Sequence, residues 1–198
     1  MSKDFSPVKE KISLHGLGFI QVVLGGNQRL HVWHPSLPRR NCYEHSAVHN
    51  HRFSFTSRVL IGTQVNQRCD LEIVKPGEGS HVLISHNGPR SEKGGRESYP
   101  VADVNVMKRP VEFIQPGEDY FMPAYEYHHT PCTGIVVTLL VKHSEGHIHA
   151  NSVCKKGVDF HYDFDRFQLS PDELFDYVQD AMKHTGEGKS LKPSTQGR

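Results

Sequence analysis

The stretch that decides the fold runs from residue 49 to residue 62 and reads His-Asn-His-Arg-Phe-Ser-Phe-Thr-Ser-Arg-Val-Leu-Ile-Gly. Side chains alternate between the two faces of a strand, so His49 and His51 point the same way and are followed on that face by Phe53 and Phe55. Imidazole is a common ligand of divalent metals, and an apolar wall limits competition from water. The stretch therefore predicts a metal site at one end of a strand.

The pair alone is a weak signal. The chain has 15 histidines in 198 residues, a frequency at which His-x-His is expected roughly once by chance. A second pair, His147 and His149, lies in a polar loop. A solvated or hydrogen-bonded side chain is the alternative for any isolated pair. The first pair gains weight from a second segment, residues 117–128, which reads Gly-Glu-Asp-Tyr-Phe-Met-Pro-Ala-Tyr-Glu-Tyr-His.

Together the two segments resemble the two motifs of the cupin superfamily, G-x5-H-x-H-x3 or 4-E-x6-G and G-x5-P-x-G-x2-H-x3-N. Six positions are in step, namely His49, His51, Gly62, Gly117, Pro123 and His128. Four positions depart from the motifs: Tyr43 and Phe55 replace the Gly and Glu of the first, and Tyr125 and Cys132 replace a Gly and the Asn of the second. The resemblance implies an all-β, cupin-like double-stranded β-helix (jelly-roll) barrel with one C-terminal helix.

The resemblance also implies a ligand set, His49, His51 and His128, with no carboxylate because Phe55 takes its place. His129 is the ligand instead if the strand register differs by one residue. Three histidines without a carboxylate are similar to the site of cysteine dioxygenase-type non-haem iron dioxygenases. This similarity implies Fe(II), with Ni, Zn or Mn as other divalent metals, together with O2 and a small chelating substrate.

The substrate pocket is expected to include Phe53, Phe55, Tyr125 and Arg39. No catalytic residue is assigned, because the Ser-x-His-x-Tyr of cysteine dioxygenases is absent from the strand at 136–142 and Thr56 stands where some members have a cross-linked Cys. Two alternatives remain open. One is a cupin that binds a metal or small molecule without turnover, and the other is a barrel without metal, closed by Phe55.

The remaining segments predict one domain, residues 1–184, followed by a disordered tail, residues 185–198. A hairpin is expected at 19–34 around Gly-Gly-Asn-Gln, strands at 50–66 and 69–75, two strands within 99–115, and a strand buried on both faces at 134–142. Residues 76–98 are expected to form an insertion near the barrel mouth. A helix is expected at 170–184, where Ser170 is the N-cap and Pro171 the first helical residue.

Composition limits the classes of partner. A net charge of +1 gives no electrostatic reason to expect nucleic acid or a membrane surface. No apolar leader or spanning segment is visible, so a cytoplasmic protein is expected, and pairing of two barrels into a homodimer is possible. The spacing of the four cysteines favours free thiols. The segment around His161 and Asp163 is expected to be an aromatic stripe rather than a carboxylate-rich metal site.

Overall fold

The computed structural model describes residues 11–160 and 164–184. Residues 1–10, the segment predicted to be a disordered tail and the stretch from His161 to Asp163 lie outside these residues. The elements are β1 Ile12–His15, β2 Phe19–Gly25, β3 Gln28–Trp33, α1 Tyr43–Ser46, β4 Phe53–Ile61, β5 Gln64–Ile73, β6 His81–Ser85, β7 Tyr99–Ile114, β8 Asp119–Met122, β9 Tyr127–His129, β10 Val136–Glu145, β11 Asn151–Lys155 and α2 Pro171–Lys183.

The strands form two antiparallel sheets. One sheet has the order β1-β2-β3-β10-β4-β8, and the other has the order β11-β6-β7-β5-β9. Strands that are distant in sequence lie side by side, such as β3 beside β10 and β4 beside β8. The predicted all-β fold with one C-terminal helix is confirmed, and the two antiparallel sheets are consistent with a cupin-like jelly roll. None of the helices in the described ranges has the length and apolar character needed to cross a membrane.

Alternation along β4 places an apolar face inside. Phe55, Val59 and Ile61 are buried, whereas Arg58 and Leu60 are exposed. The predicted hairpin is also confirmed, because β2 and β3 pair antiparallel on either side of Gly26 and Asn27. The burial pattern along β4 has the period of two that a half-buried strand requires.

The prediction of one strand over residues 50–66 is wrong. The chain leaves the first sheet after Ile61 and enters the second at Gln64, and Gly62 makes the turn with φ +71°. A Cβ at Gly62 would lie 2.1 Å from the carbonyl oxygen of Ile135. Only glycine allows this backbone conformation and this close approach together. The strand expected at 69–75 is the continuation of β5, which ends at Ile73.

The prediction of two strands within 99–115 is also wrong, because β7 runs unbroken through Pro110. The register with β5 shifts here: Cys69 faces Lys108 and Gln67 faces Val111. Two residues of β7 thus oppose one residue of β5, which is a β-bulge. A bulge tolerates a proline because the missing N–H would not have joined the ladder.

Helix α2 begins as predicted. The Ser170 hydroxyl accepts a bond from the Glu173 N–H at 3.3 Å, and the Glu173 carboxylate accepts from the Ser170 N–H at 2.7 Å, which forms a capping box. Leu174, Val178 and Ala181 bury the apolar face of the helix against the core that includes β1. The helix therefore closes one side of the first sheet.

Candidate metal centre

Three histidines meet where the segment before β4 crosses β9. The His49 N–H donates to the His128 carbonyl at 3.0 Å, and the His128 N–H donates to the His49 carbonyl at 2.9 Å. The Tyr125 N–H donates to the His51 carbonyl at 2.7 Å. His49 and His51 thus precede β4 rather than belonging to it, and backbone bonds to the residues around β9 fix their positions.

The three imidazoles are close enough to share one ion. Ring centroids are 4.8 Å apart for His49 and His51, 4.6 Å for His49 and His128, and 5.2 Å for His51 and His128. One nitrogen from each ring lies within 4.8 Å of the other two. The Nε2 atoms of His51 and His128 are 3.1 Å apart. Two nitrogens bound at right angles to one ion at about 2.1 Å would be separated by about 3.0 Å, so the spacing of His51 and His128 matches two ligands of one divalent ion.

Hydrogen bonds at the far side of two rings fix which nitrogen is free. The His49 Nδ1 lies 2.9 Å from the Ala47 carbonyl oxygen. A carbonyl oxygen can only accept, so Nδ1 carries the proton and Nε2 keeps its lone pair. The free lone pair is the one that a metal requires.

A chain of hydrogen bonds across three neighbouring strands fixes the tautomer of His128 in the same way. The His128 Nδ1 donates to the Asn66 side-chain oxygen at 2.9 Å, and the Asn66 amide nitrogen donates to Glu112 at 2.6 Å. Arg68 also donates to the Glu112 carboxylate, at 3.1 Å. Asn66 is fully buried, so its orientation is set by these bonds. Such outer partners orient metal-binding histidines and raise their affinity.

All three rings are neutral near pH 7. Burial lowers the pKa of His49 to about 4, although its bond to the Ala47 carbonyl opposes this shift. Burial, followed by the neighbouring imidazoles, holds the pKa of His51 and of His128 well below the usual range. Neutral imidazole is the form that binds metals, so no proton has to be removed before an ion can bind.

The cluster separates two cavities. An inner cavity of about 30 Å³ is lined by all three histidines and by Phe55. An outer cavity of about 260 Å³ is lined by His49 and His51 but not by His128. A ligand in the outer cavity therefore reaches the cluster from the side of His49 and His51.

The predicted pocket residues occupy different places. Phe55 lines the inner cavity, and its ring lies 5.3 Å from the His51 ring. Phe53 lies 5.2 Å from the same ring but lines neither cavity. Tyr125 bonds through its hydroxyl to the backbone of Ile148.

Arg39 also lies away from the cluster. Its guanidinium stacks on Tyr43 at 4.7 Å and donates to the Cys132 carbonyl at 3.1 Å. His129 lies outside the three-histidine group, with its ring 6.3 Å from that of Tyr43. In this register it is His128 that faces His49 and His51.

The structure adds residues that sequence reasoning missed. His31 and Tyr120 line the inner cavity together with Thr130 and Thr138. Burial lowers the pKa of His31 to about 3 and raises the pKa of Tyr120 to about 12, so both side chains are neutral. The buried His31 Nε2 has no hydrogen-bond partner within the described part of the chain. Its position two residues before Trp33 on β3 was the signal available in the sequence, because alternation places both side chains inside.

Comparison with known proteins identifies no relative from which a function could be taken. No protein-family model matches the chain, and no curated protein matches it significantly. A solved structure with some likeness is the crystal structure of hydroquinone 1,2-dioxygenase from Sphingomonas sp. TTNP3 with 4-hydroxybenzoate bound, with 12% identity and a TM-score of 0.30 over 63% of each chain. The chain therefore spans less than two thirds of that protein. A likeness this distant carries no argument about activity.

Proposed function

We propose that the protein is a metal-binding cupin that acts as a non-haem Fe(II) dioxygenase on a small chelating substrate. The observation that carries this proposal is the convergence of His49, His51 and His128, neutral and without a carboxylate among them. A divalent ion held by neutral ligands keeps its full charge, which favours anionic substrates that chelate it.

The residues of the chain have separate tasks in this proposal. His49, His51 and His128 would hold the ion, which would supply open positions for the substrate and O2 and mediate the transfer of electrons from the substrate to O2. Asn66 keeps the His128 Nε2 unprotonated. Phe55 and its buried neighbours Met122 and Leu140 keep bulk water from the inner side. These residues bind, orient and exclude water, and none of them has to move a proton.

The same surroundings provide no carboxylate for metal-dependent hydrolysis. Water bound to a metal usually needs a nearby general base to accept its proton, and a carboxylate often serves. Among the residues that the structure describes, no Asp or Glu lines either cavity. A non-catalytic metal-binding cupin remains the second candidate, because a site without a carboxylate also suits simple binding.

The first test is metal content. Untagged protein, loaded anaerobically with Fe(II) and desalted, is expected to retain about one ion per chain by elemental analysis. His128→Ala should lose it, because two imidazoles bind such an ion weakly, whereas His129→Ala should keep it. Loss in His129→Ala with retention in His128→Ala would contradict the assignment of ligands.

The second test separates the enzyme from the binding protein. The Fe(II) form is incubated aerobically with thiols, β-diketones and phenolic acids while dissolved O2 is recorded. Consumption that His128→Ala abolishes is expected for a dioxygenase. One ion per chain without O2 consumption across the panel would favour the non-catalytic cupin.

A further inference from the structure

The outer cavity next to the cluster is strongly cationic. Besides His49 and His51, it is lined by four arginines: Arg40, Arg90, Arg96 and Arg166. They come from separate parts of the chain, since Arg90 and Arg96 lie between β6 and β7 and Arg166 precedes α2. The fold has therefore gathered these charges from distant segments beside a candidate metal site.

Three of these arginines have no carboxylate partner in the described residues. Arg90 donates to the Gly94 carbonyl at 2.9 Å, Arg96 to the Gly88 carbonyl at 2.9 Å, and Arg166 to the Leu14 carbonyl at 3.0 Å. The ion pairs found in the described ranges involve other cations. Each guanidinium has five N–H donors, so the backbone bonds hold the side chain and leave further donors for a ligand.

Bringing like charges together has an energetic cost here. Burial lowers the pKa of Arg166, and the charges of Arg90 and Arg29 lower it further. Arg29 shows the same pattern, since burial and Arg90 lower its pKa while Glu145 opposes them. An anion in the cavity would offset this repulsion.

We infer that the outer cavity binds the oxyanion end of the substrate, a carboxylate or a phosphate, through Arg90 and Arg166. The rest of the molecule reaches His49 and His51, so this inference rests on the proposed function and narrows its substrate to a small organic anion. Leu17 and Phe164 line the same cavity and offer an apolar surface to the carbon part of the ligand. A volume of about 260 Å³ is at the small end of ligand pockets, which excludes large cofactors.

The test is a calorimetric titration of metal-free protein at low ionic strength. The probes are benzoate, phenyl phosphate and benzamide, a neutral molecule of nearly the same shape as benzoate. At least one anion should bind and benzamide should not, and the stronger of the two anions identifies the group that the cavity prefers. Equal binding of benzamide, or no binding of either anion, would overturn the inference.

Variants locate the binding. Arg90→Gln should weaken the anion by about tenfold or more, because it removes a charged hydrogen-bond donor. Arg58→Gln removes the same charge from an exposed pair with Asp119 and should leave binding unchanged. Arg166→Gln also removes the bond to the Leu14 carbonyl. It is therefore compared with Arg166→Lys, which keeps the charge, and the thermal unfolding of both variants is recorded. If Arg90→Gln binds as wild type does, the assignment is wrong.

The design keeps the two proposals apart. Because the titration uses no metal, it measures anion binding separately from iron retention. Anion binding in a protein that never retains iron would leave the cavity assignment standing and remove the dioxygenase. Iron retention without anion binding would leave the metal site standing and remove the cavity assignment.

Discussion

At the scale of single residues, the candidate site depends on groups that never touch the ion. Asn66 can present only an acceptor to His128 because its amide nitrogen is engaged by Glu112. This fixes the proton of His128 on Nδ1. Asn66, which fixes the tautomer of His128, thus lies on a different strand from His128.

Asn66→Leu tests this role. The change keeps a branched side chain of similar length but removes the acceptor, so we expect metal affinity to fall about 10- to 100-fold. Competition with a chromophoric chelator measures the affinity. Gln67→Leu is the matched control, because it removes an amide from the adjacent position, which bonds to the Arg109 carbonyl instead. Equal losses in both variants would mean a general effect on β5.

Phe55 occupies the position where the cupin motif has a glutamate. It is 2% exposed and packs on Met122 and Leu140. Phe55→Glu should destabilise the metal-free protein by about 3–5 kcal/mol or more, since it loses a buried ring and places a carboxylate in an apolar site.

Metal should recover part of that loss. We expect Fe(II) to raise the melting temperature of Phe55→Glu more than that of Phe55→Gln, which has the same shape without the charge. Differential scanning calorimetry with and without metal measures both shifts. Equal shifts would show that the side chain at position 55 does not reach the ion.

At the scale of elements, the link between β4 and β5 decides which sheet carries which part of the site. The histidine segment leads into β4, whereas Asn66 lies on β5 in the other sheet. Gly62 makes the crossing possible in two residues. Its place in the cupin motif therefore has a structural explanation in this chain.

Gly62→Ala should be more destabilising than Gly117→Ala. Both glycines have positive φ, +71° and +90°, so alanine costs about 1–2 kcal/mol at either position. At Gly62 the new Cβ would also meet the Ile135 carbonyl at 2.1 Å, while at Gly117 it would meet nothing within 4 Å. Urea unfolding of the two variants measures the difference. Equal losses would indicate that the backbone near Ile135 relaxes freely.

At the scale of the whole molecule, several described histidines are buried in part or fully and are neutral. Burial lowers the pKa of His49 and His86 to about 4 and of His31 to about 3. His51 and His128 shift in the same direction. In the unfolded chain each would titrate near about 6.5. Below about pH 6.5, these histidines therefore bind protons in the unfolded chain but stay neutral in the folded protein.

This difference predicts an acid-sensitive fold. The stabilisation is fully present above about pH 6.5 and falls as the pH drops towards about 4, by about 1.4 kcal/mol per pH unit for each such histidine. Urea unfolding of metal-free protein at several pH values in this range measures the slope. The carboxylates with lowered pKa, including Asp70 and Asp119, add a further loss of stability at the acid end of this range.

His31→Phe gives the control. It removes one buried histidine that is outside the three-ligand group, and it replaces a nitrogen without a described partner by a ring of similar size. We expect the free energy of unfolding at pH 7 to be unchanged or higher. Its slope against pH should be smaller by the uptake of about one proton. An unchanged slope would show that His31 is already protonated in the folded protein.

Sequence by itself determined the local features of this protein. The period of two in residues 53–61, the β2–β3 hairpin and the capping box at Ser170 follow from neighbouring residues, because side-chain alternation, turns and caps are short-range effects. The resemblance to the cupin motifs named the three histidines that the structure brings together, with His129 open as the alternative to His128. The strand, hairpin and cap needed only a residue type and its separation from the next.

Tertiary structure decided what surrounds them. The break between β4 and β5 at Gly62 depends on the nearby Ile135 carbonyl, and the continuity of β7 depends on a bulge against β5. Neither feature could be predicted from the local sequence alone. His31 and Arg166 line the two cavities, and Asn66 bonds to His128, from elements far apart in the chain. Their places follow from how the two sheets close and cross, and that geometry is set by long-range pairing rather than by local sequence.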